Sequence, residues 1–233
     1  MTHDTNELGQ PVGFPVPDWK PPQKPERTTH EGRFCKLEPL DAAKHADDLH
    51  AANVLNADGA MWTYMAYGPF VSLADYRAWA EGAARGSDPL FFAYIDRATG
   101  KPVGAGSFMR IDPANGCIEV GHLAYSPLMQ RTPVATEAMY LMMKQAFALG
   151  YRRYEWKCNS LNAPSRRAAD RFGFTFEGIF RQHMIVRGRN RDTAWYSILD
   201  TEWSKQKHAF EAWLDPNNFN SHGRQIKRLD DFK

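Results

Sequence analysis

A strand-like run, Cys117 to Tyr125, leads into the polar loop Gln130-Arg131-Thr132-Pro133-Val134-Ala135, and that loop opens a long apolar helical segment ending at Gly150. This unit restricts the fold more than any other part of the chain. Thr132 suits the N-cap and Pro133 the first helical position, where the N–H that proline lacks would be unpaired anyway. Gly150 stands where a C′ glycine belongs. A second strand-like run, Tyr151 to Cys158, follows at once, and a helical crossover between two strands makes them parallel neighbours. The free amides and dipole at such a helix start attract anions. By itself the same pattern also serves an ordinary strand-to-helix turn.

The flanking segments predict antiparallel structure. Arg33 to Leu40 reads as a first strand, and Asp41 caps a helix through Asn53. Residues 59–70 form an aromatic loop, and Ser72 with Asp75 starts a second helix that stops at Gly86. Leu90 to Ile95 is nearly all apolar and fits a strand covered on both faces. Val103 to Ile111, carrying Gly104 and Gly106, and Cys117 to Tyr125 then continue a meander across strong turns. Beyond the crossover come a short helix capped by Asn162 and stopped by Gly173, strands at 174–186 and 193–199, and a helix from about Trp203 to Leu214.

This order predicts an α/β layered fold: a mixed, mostly antiparallel sheet of about six or seven strands with helices on both faces. Six prolines between Pro11 and Pro25 make residues 1–31 an extended arm, which Phe14, Val16 and Trp19 are suited to pin to the body or to a second subunit. A homodimer through that arm fits the pattern. The body is expected over 32–203, with 204–233 forming a helix and a polar tail over its surface.

With 43% hydrophobic and 13% aromatic residues the chain can bury a core, and a formal charge of +2 calls for no nucleic-acid partner. Cys35, Cys117 and Cys158 lack metal-site spacing and read as reduced thiols of a cytoplasmic protein. No metal is expected. No apolar run approaches the ~18 residues of a membrane span.

Four local patterns carry a resemblance. They are Glu119-Val120-Gly121-His122, the loop QRTPVATEA at 130–138, Asn162-x-x-Ser165, and Phe172-Gly173-Phe174. In this order the chain resembles the GNAT superfamily of acyl-CoA-dependent N-acetyltransferases over roughly 33–203, and within it the branch of the ribosomal-protein N-terminal acetyltransferases. Two positions depart from the family pattern: Pro133 replaces the loop glycine nearest the helix, and Ala169 occupies the slot where many members carry a tyrosine general acid.

The resemblance implies a primary-amine acceptor, a protein N-terminus or a small molecule, and acetyl-CoA as co-substrate in direct transfer. It seats the pyrophosphate on Gln130, Arg131, Thr132, Val134, Ala135 and Thr136. The pantetheine arm would run along Leu123, Ala124 and Tyr125 and past Asn162 and Ser165. An ammonium must lose a proton before it can attack. Strict alternation sets Glu119, Gly121, Leu123 and Tyr125 on one strand face, so Glu119 is expected to face the groove or solvent as the base. His122 is the alternative base. Ser165 is expected beside the departing sulfur, and Cys158 nearby without a histidine motif to activate it. The acceptor pocket is expected from Trp62, Tyr64, Tyr67, Trp156, Arg181 and His183. Two other functions fit parts of the chain: a non-catalytic CoA-binding or sensor protein, given Pro133 and Ala169, and a ribosome- or RNA-associated protein, given Arg187, Arg189, Arg191 and the basic run from Arg224 to Arg228.

Overall fold

The computed structural model describes residues 3–233; the first two residues of the arm lie outside them. The elements run β1 (His3–Thr5), β2 (Pro11–Gly13), β3 (His30–Glu31), β4 (Cys35–Pro39), α1 (Ala42–Asn53), α2 (Leu73–Arg85), β5 (Leu90–Asp96), β6 (Lys101–Asp112), β7 (Cys117–Tyr125), α3 (Pro133–Ala148), β8 (Arg153–Asn159), α4 (Ala163–Arg171), β9 (Thr175–Val186), β10 (Arg189–Leu199) and α5 (Asp200–Leu214). β1 and β2 form a small separate hairpin. The other eight strands make one sheet in the order β3-β4-β5-β6-β7-β8-β10-β9. Every pairing in it is antiparallel except β7 with β8, the pair joined by α3. The fold is therefore the mixed, mostly antiparallel layered sheet expected. Its additional strand is β3, whose two residues pair with Lys36 and Leu37 and are too short to carry an alternation.

Three helices begin where a side chain satisfies a free amide. Asp41 accepts from the Lys44 amide, Ser72 from that of Asp75 and Asn162 from that of Ser165. β5 is buried on both faces. Leu90, Phe92 and Tyr94 join the core beneath α3 and α5, and Phe91, Ala93 and Ile95 join the one beneath α1 and α2. Gly106 on the neighbouring β6 has no room for a side chain, since a Cβ there would lie 1.9 Å from the Tyr94 hydroxyl. The helices over β4–β6 leave the same face of β7–β9 without a helical cover.

α3 is buried almost all round, from Val134 through Met143. Its one carboxylate, Glu137, is 3% exposed and ties three layers together. Its oxygens accept from the amides of Arg33, Phe34 and Cys35 at 2.8, 2.5 and 2.5 Å, fixing the chain as it enters β4. The Thr136-Glu137-Ala138 triplet thus has an architectural use at its centre.

The segment after α5 is anchored more firmly than a polar tail suggests. Leu229 is buried, and the Asn218 amide donates to the carbonyls of Trp213 and Lys227. In the arm, the Trp19 indole donates to the Ala114 carbonyl at 3.2 Å and Arg27 to that of Gly86 at 2.6 Å, and Pro22 and Pro25 are buried. β9 lies at the sheet edge. Its pairing with β10 breaks between the partners of Arg191 and Thr193 and again between those of Trp195 and Tyr196.

Candidate active site

β7 and β8 pair only from Cys117↔Arg153 to Val120↔Trp156. Beyond that point the two parallel strands part, although β7 runs on to Tyr125 and β8 to Asn159. The cause lies on the other side of β7. Between Ser107↔Gly121 and Ala105↔Ala124 the β6–β7 ladder gains one residue on β7, and His122 takes φ +54 there. Such a bulge bends its strand and exchanges the faces beyond it. Ile118 and Val120 before it, and Leu123 and Tyr125 after it, all pack toward the α3 core, while Ala124 joins the core under α1 and α2. This corrects the strict alternation, which set Leu123 and Tyr125 on the face of Glu119. The fork so formed opens at the carboxyl ends of two parallel strands, and the backbone of Leu123–Tyr125 lines one arm of it.

Two helices begin beside the fork, α3 after β7 and α4 after β8. Thr132 holds the N-cap position of α3, but its hydroxyl donates to the Met129 carbonyl at 2.7 Å and caps nothing. The amides of Val134 and Ala135 in the first turn therefore keep no intrahelical acceptor. Pro133 at the first position costs the helix no hydrogen bond. Arg131 is exposed at φ +61, and the Gln130 side chain donates to the Tyr125 carbonyl at 2.8 Å. The Thr136 hydroxyl is buried and accepts from Arg171 at 3.1 Å, so only its backbone could meet a ligand. On α4 the Ser165 hydroxyl accepts from the Trp156 indole at 3.1 Å, which leaves its own proton free to donate. Cys158 is 6% exposed, and burial pushes its thiol above the ordinary range, so it offers no thiolate nucleophile.

Glu119 is 3% exposed rather than open to groove or solvent. Its Oε2 is shared by Arg110, at 2.7 Å, and Lys157, at 2.9 Å. From there an ion-pair ladder crosses the uncovered half of the sheet. Lys157 reaches Glu155 at 2.6 Å, Arg153 reaches Glu155 at 2.6 Å, and Arg153 grips Glu177 with two bonds of 2.7 and 2.5 Å. The Lys157 ammonium also stands 3.8 Å from the Trp195 ring centroid, a cation–π contact that helps offset its burial. His122 lies at the bulge with Nδ1 3.1 Å from the Tyr67 hydroxyl and its ring stacked on Tyr67. Burial first, and the Arg110 charge second, hold its imidazole below the ordinary histidine range. Among the described residues its Nε2 has no hydrogen-bond partner.

The residues expected to bind the acceptor divide. Tyr67 stands over His122, and His183 contacts Trp195 and Phe180 on the uncovered face. Tyr64 donates to the Leu161 carbonyl at 3.1 Å, linking the aromatic loop to the start of α4. Trp62 and Trp156 do not line open space: each is 4% exposed, Trp62 packed under Gly68 and Trp156 among Phe172 and Phe174. Arg181 is exposed on the edge strand and, among the described residues, makes no ion pair. Arg110, Lys157, Arg191 and Trp195 were not singled out for the pocket. The available signal was Lys157 as the one cation within Tyr154-Glu155-Trp156-Lys157-Cys158, where charges alternate with aromatics. Two surface hollows of about 590 and 340 Å³ lie elsewhere, beside Asp47 with Arg77 and beside Glu38 with Lys44, and none of these site residues lines them.

A family model described as an acetyltransferase (GNAT) domain matches residues 35–175. Among solved structures, a GCN5-related N-acetyltransferase from Brucella melitensis is 53% identical, with a TM-score of 0.91 over 93% of this chain and 99% of that one. A GNAT-family chain from Chromobacterium violaceum is 38% identical, with a TM-score of 0.77 over 84% of this chain and 98% of that one. The uncharacterized N-acetyltransferase p20 of Bacillus licheniformis is 28% identical over 114 residues, 48% of this chain and 64% of that protein, so the match spans less than two thirds of that relative.

Proposed function

This chain belongs to the acetyltransferase (GNAT) domain family, and on that premise we propose that it moves an acetyl group from acetyl-CoA to a primary amine by direct transfer. One observation carries this reading: the β7–β8 fork opens beside a helix start whose amides are left uncapped. Bound acetyl-CoA supplies the acyl thioester. The amides of Val134, Ala135 and Thr136 and the Arg131 side chain suit its pyrophosphate, and the unpaired edge of Leu123–Tyr125 suits the amides of its pantetheine arm. Thr132 and Gln130 support the loop through Met129 and Tyr125, and Asn162 holds the start of α4 through the Ser165 amide.

The attacking amine must be neutral. We propose that His122 takes its proton on Nε2, because the imidazole is kept uncharged by burial and stands at the mouth of the fork. Glu119, the other candidate, has one oxygen committed to two cations. It would act through Oε1 or by fixing Arg110 and Lys157. The Ser165 hydroxyl, already receiving the Trp156 indole proton, has its own O–H to give to the departing sulfur. The order of the four motifs supports the branch of the ribosomal-protein N-terminal acetyltransferases.

Titration calorimetry with acetyl-CoA tests the premise of this mechanism; absence of binding at millimolar ligand defeats it. Thiol release measured across a panel of amines then separates a transferase from a protein that only binds CoA, which would titrate but release nothing.

A further inference from the structure

The ladder on the uncovered sheet face closes on itself. Its cations are Arg110, Lys157 and Arg153, and its carboxylates are Glu119, Glu155 and Glu177, each cation in contact with at least one of them. Arg191 stands at the same face and is left out of this balance. It is partly buried, yet among the described residues no carboxylate lies within ion-pair distance of it. Among the described residues its side chain makes one hydrogen bond, from Nε to the Thr193 hydroxyl at 3.1 Å. The fork of its guanidinium, the part suited to grip a carboxylate with two parallel bonds, is unused.

Its position matters as much as its charge. Thr193, two residues on, pairs with Asn159, the last residue of β8, so Arg191 sits at the open end of the fork. His183 Nδ1 stands 3.0 Å from the same Thr193 hydroxyl that receives Arg191, and its ring contacts Trp195, over which the Lys157 ammonium sits, so these groups share one face. Phe180, His183 and Trp195 wall that face with rings 4.5 to 5.9 Å apart. Among the described residues the carboxylates on these cations, Glu119 and Glu155, are already held by Arg110, Lys157 and Arg153, so the charge of Arg191 is left in excess. Removing a guanidinium from water without a partner is costly, and sites of this kind are completed by an anion.

We propose that the acceptor is a primary amine that also carries a carboxylate, with Arg191 as the residue that grips the carboxylate and the aromatic wall holding the body that bears both groups. The proposal rests on the transferase reading and adds the acceptor class. The carboxylate belongs either to a free amino acid or to an acidic side chain near a peptide N-terminus, and both place one negative charge on the same molecule as the amine.

Products serve as probes, since they bind without turnover. N-acetylphenylalanine and its carboxamide form one pair, and acetyl-Ala-Glu-amide and acetyl-Ala-Gln-amide the other; each is titrated into the protein with and without saturating CoA. In at least one pair the acid is expected to bind ten-fold or more tightly than its neutral counterpart. The pair that discriminates tells an amino-acid acceptor from a peptide. Arg191→Gln is expected to erase the preference while leaving CoA affinity and the thermal midpoint unchanged, and Arg191→Lys to restore part of it. Equal binding of acid and neutral probe in both pairs, no binding of any probe, or a preference that survives Arg191→Gln overturns the proposal. If CoA binds and amines are acetylated in that case, the transferase reading stands without it; if CoA itself fails to bind, the transferase reading falls on its own test.

Discussion

At the scale of the residue, the sharpest question is which group takes the amine proton, and pH answers it. A general base works only when unprotonated. His122 is held below the ordinary imidazole value of about 6.5, so its contribution is full at neutral pH and is lost as pH falls through a lower midpoint. With saturating acceptor, turnover is expected to show an acidic limb centred below about 6.5, and His122→Gln to remove that limb with a loss of about 10²–10⁴-fold. Glu119→Gln is expected to lower turnover but keep the limb. If the limb instead survives in His122→Gln and disappears in Glu119→Gln, the roles are exchanged. The sequence pointed to both side chains but not to their surroundings. Glu119 acquires its two cations from β6 and β8, and no local pattern shows which strands will lie on either side of β7.

At the scale of the element, two substitutions in α3 separate binding from architecture. Thr132→Asp gives the helix the capping carboxylate it now lacks. It is expected to raise stability by about 0.5–1 kcal/mol while weakening acetyl-CoA binding ten-fold or more, because the new charge occupies the amides that phosphate would use. Thermal melts and calorimetry on one sample would read both effects, and a CoA affinity that rises or stays level argues against a phosphate seat there. Glu137→Gln puts an amide donor against the amides of Arg33, Phe34 and Cys35. A buried donor facing donors is expected to cost about 2–4 kcal/mol in denaturant unfolding, with little change in CoA affinity for whatever fraction stays folded. Helix starts were legible because a cap and its amide are neighbours in the chain, as Asp41, Ser72 and Asn162 show. The hydroxyl of Thr132 was legible as a cap by residue type alone. Its turn toward Met129 belongs to a loop conformation that residue type does not determine.

At the scale of the whole molecule, the arm divides at Trp19. Residues 3–18 are almost wholly exposed, while the stretch from Trp19 to Glu31 reaches the turn at Ala114, the end of α2 at Gly86 and the edge of β4. Deleting residues 1–18 is expected to shift the thermal midpoint by less than about 2 °C, whereas Trp19→Ala is expected to cost about 1–2 kcal/mol through lost packing on Gly116 and Arg152. Equal losses from both changes would mean that the outer arm is held by contacts beyond its own body, such as a second copy of the chain. The layered sheet and its parallel pair were readable from element order, since a helical crossover permits only one arrangement. The ladder from Arg110 to Glu177 was not, because it requires β10 to lie between β8 and β9 and so joins side chains far apart in sequence.

The interrupted pairing of β9 has a consequence for growth of the sheet. This strand leaves one edge open and exposes Phe176, Ile179, Phe180 and Ile185, a combination that ordinarily templates a foreign strand. Its two irregularities cut the ladder with β10 into runs of three, three and two paired residues, and Gln182 turns to φ +50 inside one break. An incoming segment could not keep register along such an edge for the five or six residues, roughly, that a stable strand needs. The edge is thus chemically sticky and geometrically discontinuous, which lets the apolar side chains stay at the surface without seeding a fibril.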